Sequence, residues 1–124
     1  MKKSIFLFFI LLISASLKAQ ENETVYFYVV STAFIDGQLK AIVTDVQSTN
    51  CHPPSIRSTA IDNQFFDHKK SKYSNAYMYQ TVVFDTFKTF AEAANRRRSK
   101  IGQYQNDNYH ITEDDDFKFY CDGN

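Results

Sequence analysis

With 124 residues, 44% of them apolar and 16% aromatic, the chain is too hydrophobic for a disordered linker and too short for more than one ordinary domain. Two cysteines, two prolines, three glycines and no internal repeat exclude a disulfide-dense mini-protein, a collagen-like segment and a solenoid. The formal charge is zero, fourteen basic residues against fourteen acidic ones.

At the amino terminus, Lys2 and Lys3 precede an unbroken apolar run over residues 5–13, and a smaller, more polar stretch leads to Ala19. This is the order of a secretory signal peptide. The basic end stays in the cytoplasm, a short apolar helix enters the translocation channel, and small side chains mark the cut. The sequence therefore predicts a leader over residues 1–19, cleavage between Ala19 and Gln20, and one small globular domain over residues 20–124. The apolar run is far shorter than the roughly 20 residues a membrane span requires, and no cysteine precedes Cys51, which rules out lipidation at the cut. The expected location is secreted or periplasmic, with no stable membrane insertion after cleavage. Lys2, Lys3 and Lys18 leave with the leader, so eleven basic residues then face fourteen acidic ones, the wrong sign for a general nucleic-acid binder.

Residues 25–35 are dense in β-branched and aromatic side chains, Asp36 and Gly37 follow, and residues 38–46 continue in the same style. Asp-Gly between such runs supplies the positive φ angles of a tight turn, which predicts a long β-hairpin. Its cross-strand partners are Phe34 with Leu39, Val30 with Val43 and Phe27 with Val46. These pairs fall on both faces, which requires either cover on two sides or a bulge that shifts the register.

Residues 47–58, with Cys51, Pro53 and Pro54, read as loop. Cys51 and Cys121 are the only cysteines, and in an oxidising compartment a bridge between them is worth about 4 kcal/mol of loop entropy. Two free or metal-bound thiols are the alternative. The absence of a C-x-x-C spacing argues against redox catalysis.

Over residues 58–72, Ile61 and Phe65 sit four apart with His68 and Lys72 continuing the row, the spacing of a short helix. Residues 76–84 alternate and predict a strand. Thr89 and Glu92 have the spacing of a capping box and open a helix over residues 90–105, whose apolar stripe gathers Phe90, Ala93, Ala94, Ile101 and Tyr104. Residues 109–111 return to extended chain, and residues 117–121 alternate as a closing strand with Phe117, Phe119 and Cys121 on one face. The order implies an α+β two-layer sandwich, an amino-terminal β-hairpin followed by helix-strand-helix-strand, with the helices packed on one face of a mixed sheet.

Charge is segregated along the chain. Residues 55–105 carry nine basic and four acidic side chains, whereas residues 106–124 carry one basic and six acidic. Lys69, Lys70, Lys72, Arg96, Arg97, Arg98 and Lys100 are the candidate contacts for an anion or a partner; the plainer reading is a solvated helix surface partly paired with the acidic tail. Arg97 resists that reading, because it falls at roughly 340° from Phe90 and so inside the apolar stripe. Its guanidinium must reach the edge of the stripe or find a carboxylate or carbonyl. Glu113, Asp114, Asp115 and Asp116 read as a solvated acidic turn, since the loop that wraps calcium is absent.

His52, His68 and His110 lack metal-ligand spacing, and no nucleophile elbow, zinc-protease or phosphate-loop motif occurs. No cofactor, metal or catalytic residue is assigned. The expected function is that of an exported, non-catalytic interaction domain binding a protein or envelope polymer. Binding of an anionic glycan or other polyanion through the basic clusters is the alternative, and a small hydrolase built on His110 comes third.

Overall fold

The computed structural model describes residues 23–51 and 54–121; the leader, its cut at Ala19 and Gln20, and His52 lie outside the described residues. In chain order the elements are β1 (Val25–Phe27), β2 (Val30–Ile35), β3 (Gln38–Thr44), β4 (Gln47–Thr49), α1 (Pro54–Lys72), a 3-10 turn (Ala76–Met78), β5 (Gln80–Val83), β6 (Thr86–Phe87), α2 (Phe90–Asn106) and β7 (His110–Asp114). The strands form a three-stranded sheet, β4-β1-β6, and a four-stranded sheet, β5-β2-β3-β7. The fold is α+β, with two helices packed against these sheets and the amino-terminal hairpin leading into alternating helix and strand.

The hairpin turns as its residues dictate: Asp36 and Gly37 both hold positive φ, 53° and 79°. Val30 pairs with Val43 and Phe34 with Leu39, as expected. Farther from the turn Phe27 meets Gln47 rather than Val46. One extra residue at Asp45 and Val46 has shifted the register, as a bulge does. The interruption keeps its main chain bonded, because Thr44 donates its amide to the Val29 carbonyl at 3.0 Å and its hydroxyl accepts from the Val29 amide at 2.8 Å.

The hairpin is also covered on two sides. Side chains alternate along a strand, and consecutive residues of β3 enter different clusters. Ile42 joins Phe27, Val29, Ile61, Phe65 and Phe117, where α1 packs. Val43 joins Tyr28 and Val30, against which Ile101 and Tyr104 of α2 lie. The topology supplies the reason. β2 and β3 are antiparallel, β5 is antiparallel to β2, and β7 is parallel to β3, so β5, β3 and β7 share one direction. Both helices therefore cross between parallel strands, α1 from β3 back to β5 and α2 from β5 forward to β7. Crossovers of one hand travelling in opposite directions lay their helices on opposite faces, so α1 and α2 do not share the single face that the element order implied.

Several boundaries differ from the sequence reading. The stretch 47–58 is not loop throughout: residues 47–49 pair with β1, and α1 starts at Pro54, where a first-turn proline has no intrahelical bond to lose. Residues 76–78 form a 3-10 turn rather than strand, entered through Asn75 at φ 58°. Thr89 caps α2 as expected, its hydroxyl accepting from the Glu92 amide. Phe90, placed on the buried stripe, is 57% exposed, its ring edge-on to Tyr26 at 6.2 Å.

The segment 117–121 is not a sheet strand. Two glutamines take the place of a strand partner. Gln47 donates to the Phe117 carbonyl and accepts from the Phe119 amide, and Gln64 does the same for the carbonyl and amide of Tyr120. Phe117 and Phe119 nonetheless share the α1 cluster, and Cys121 closes the strap through its disulfide with Cys51.

Candidate interaction surface

Four of the seven basic candidates are engaged inside the protein. Lys69 is 2% exposed, so it is no surface contact. It donates to the Ser31 hydroxyl at 3.1 Å and the Tyr79 carbonyl at 2.9 Å, and stands over the Phe65 ring. Its burial follows from position, since it lies one helical turn beyond Ile61 and Phe65 on the same row. The Ser31 and Lys69 pair has the composition of a nucleophile and base, but Ser31 is fully buried, so no substrate reaches it. Lys70 pairs with Asp67 at 3.3 Å on the surface, and Lys72 with Asp116 at 2.7 Å.

Burial lowers the Lys69 amine, and the charge of Asp62, which raises it, does not compensate. Above the lowered value the unfolded chain holds this proton more tightly than the folded one, so Lys69 makes stability rise with pH up to its ordinary value of 10.5. Lys69→Met is expected to remove that component while changing stability at neutral pH by no more than about 1 to 2 kcal/mol, because lost desolvation offsets the unpaired Ser31 and Tyr79 groups. Urea midpoints of both proteins at pH 8 and pH 10 check it. The difference between them is the readout, because the raised phenols of Tyr28, Tyr73, Tyr79 and Tyr104 act in the opposite direction. Equal pH responses would sink the assignment.

Arg97 finds both kinds of partner its place in the stripe demands. Its Nε donates to the Thr44 carbonyl at 2.7 Å, and its terminal nitrogen lies 3.0 Å from Glu113 and 3.7 Å from Asp45. It thus ties α2 to the hairpin bulge and to β7. Arg98, with one long contact to Asn95 at 3.5 Å, and Arg96 are exposed, and Lys100 is half-buried. None of these three α2 residues has a carboxylate within ion-pair distance among the described residues.

The acidic run is not a solvated turn at its centre. Asp114 is fully buried. It accepts from the Tyr73 hydroxyl at 2.6 Å, from the backbone amides of Asp116 and Phe117, and from His68 at 2.8 Å. An ionised carboxylate only accepts, so the His68 ring nitrogen is the donor. Burial pushes this carboxyl up, and those donors together pull it down to about 2. The Asp114 knot joins the end of β7, the strap and the last turn of α1. The sequence signal for it was the turn chemistry of an aspartate two and three residues ahead of free amides. His110 is exposed on β7, which removes the cleft that a hydrolase built on it needs.

What remains open is the β5 border. β5 ends its sheet, and no main-chain bond reaches its outer side among the described residues. Around it stand Tyr77 at 77%, Phe34 at 63%, Val82 at 53% and Met78 at 39% exposure. Phe34 belongs with this group because β2 runs beside β5, Thr32 facing Gln80. Sequence reading missed Tyr77 and Met78 by assigning them to a strand interior.

No family model matches this chain, and no curated protein or solved structure does. Among the described residues no group of three or more histidine, cysteine, aspartate or glutamate side chains is arranged to hold a metal ion, and no helix is long and apolar enough to cross a membrane.

Proposed function

We propose that the chain is an exported, non-catalytic interaction domain that binds a polypeptide partner at the β5 border. Four large exposed apolar side chains on and beside an unpaired strand edge carry this reading, since isolated exposed apolar residues are ordinary but several next to open main-chain donors and acceptors are a binding signature. Export rests on the leader sequence, and the Cys51–Cys121 disulfide is compatible with an oxidising compartment. The polyanion alternative is favoured by one observation, the exposed Arg96 and Arg98 on α2.

The two readings separate on variants. Retention of the mature protein on an anionic matrix that vanishes in the Arg96, Arg98 to Ala double variant, with Tyr77→Ala unaffected, favours the polyanion. Capture of an envelope or secreted polypeptide that survives the double variant and fails in Tyr77→Ala is the expected outcome. A capture profile indifferent to Tyr77→Ala removes the β5 border from the account.

A further inference from the structure

A sheet edge that must stay unpaired in solution carries charge, a cover or a distortion, and the edges of this fold differ in that respect. β7 carries His110, Glu113 and Asp114 and runs into Asp115 and Asp116. β4 is overlaid by the strap, through Gln47 and the disulfide. β6 is two residues long, with Asp85 before it and Lys88 after it. β5 alone, Gln-Thr-Val-Val, has neither a charged residue nor a described segment against its outer side. Its one protective feature is a register shift opposite Val30 and Ser31, which makes Val82 the extra residue.

From this contrast, and resting on the polypeptide-binding reading of the same border, we infer that the occupant of β5 is a second copy of this chain, paired antiparallel across a two-fold axis near Val82. The charges fit that arrangement. Pairing centred on Val82 sets Asp85 of each copy beside Tyr79 of the other. The two Asp85 carboxylates then lie six strand positions apart, about 20 Å, beyond the screening length of about 8 Å at physiological salt. Two copies of β7 paired in the same way about Thr112 would hold their Glu113 side chains only two strand positions apart, about 7 Å and inside that screening length. The two-fold axis also brings the Val82 side chains of both copies together, with Tyr77 and Met78 at the rim, so backbone pairing and apolar burial reinforce each other. The shift at Val82 limits the length of the ladder, and weak association in the micromolar range is expected for an interface of this size.

Sedimentation velocity of the disulfide-intact mature protein, from low micromolar to submillimolar concentration, tests the inference with two variants. Wild type is expected to form dimers as concentration rises. Val82→Lys, which brings two ammonium groups together on the axis, is expected to weaken association at least about tenfold while leaving its thermal unfolding near that of wild type. Arg98→Glu, on α2, is expected to dimerise as wild type does. As a measurement independent of variant stability, hydrogen exchange of the β5 amides should slow with rising wild-type concentration. A wild type that stays monomeric throughout, or a dimer indifferent to Val82→Lys, overturns the second copy as occupant. The wider reading has its own failure: it falls only when Tyr77→Ala also leaves capture of a foreign polypeptide unchanged.

Discussion

Asp114→Ala is expected to cost about 3 to 5 kcal/mol, a large part of the stability of a domain this size. The carboxylate is fully buried and answers four donors at once, the Tyr73 hydroxyl, His68 and the amides of Asp116 and Phe117. Truncation leaves all four without their acceptor, the Phe117 amide buried and the other three partly so, and each unsatisfied buried donor costs about 1 to 3 kcal/mol before relaxation. The same residue gives the protein an acid-sensitive component. Its folded carboxyl titrates at about 2 against 3.8 for an ordinary aspartate. The unfolded chain therefore takes up the proton first as pH falls, and stabilisation of about 2 kcal/mol that is full above pH 5 declines below 3.8 and is gone below about 2. Urea midpoints measured at pH 6 and pH 2.5 should fall steeply for wild type and less for Asp114→Ala. An alanine variant as stable as wild type at pH 6 would mean that the knot does not hold β7, strap and helix together. Tyr73→Phe removes one donor and leaves the carboxylate three, so a loss of about 1 kcal/mol is expected there.

Loss of the Cys51–Cys121 bridge is expected to lower stability by about 4 kcal/mol, through the double serine variant or through reduction. The bridge joins positions 70 apart in sequence, and opening so long a loop restores a large amount of chain entropy to the unfolded state. Its local effect falls on the strap. Without the bridge, residues 115–121 remain attached by the glutamine contacts of Gln47 and Gln64 and by Phe117, which is 2% exposed in the α1 cluster. Hydrogen exchange of the Phe119 and Tyr120 amides should accelerate ahead of the β2 and β3 amides. Chemical denaturation with and without reductant gives the magnitude. A midpoint unchanged by reduction, with thiols confirmed free, would show the strap to be held by side chains alone.

How far these features were legible in the sequence depends on the range of the forces that made them. The Asp-Gly turn, the Thr89 cap and the α2 stripe are set by neighbours within four residues, and they stand close to where the residues predict. Lys69 was legible in principle, because the Ile61 and Phe65 row reaches it after one turn, but the charge drew the reading to the surface. The need for a bulge or two-sided cover was legible in the cross-strand pairs of the hairpin, whereas the glutamine contacts of the strap and the distant partners of Asp114 were not. Gln47 bonds residues 70 and 72 positions away and Asp114 bonds one 46 away, and no local pattern encodes such a partner. The same distance hid the use of Arg97. Its angular position demanded a carbonyl or carboxylate, yet only the fold supplied Thr44 and Glu113.

The sequence by itself determined the α+β class, the hairpin turn and the capped second helix, because composition, φ preference and periodicity act along the chain. Tertiary structure alone decided which charges remain outside. Helices that cross the sheet in opposite directions bury one lysine, neutralise others and leave β5 bare, and the free energy of an ionised or apolar group depends on what surrounds it in space.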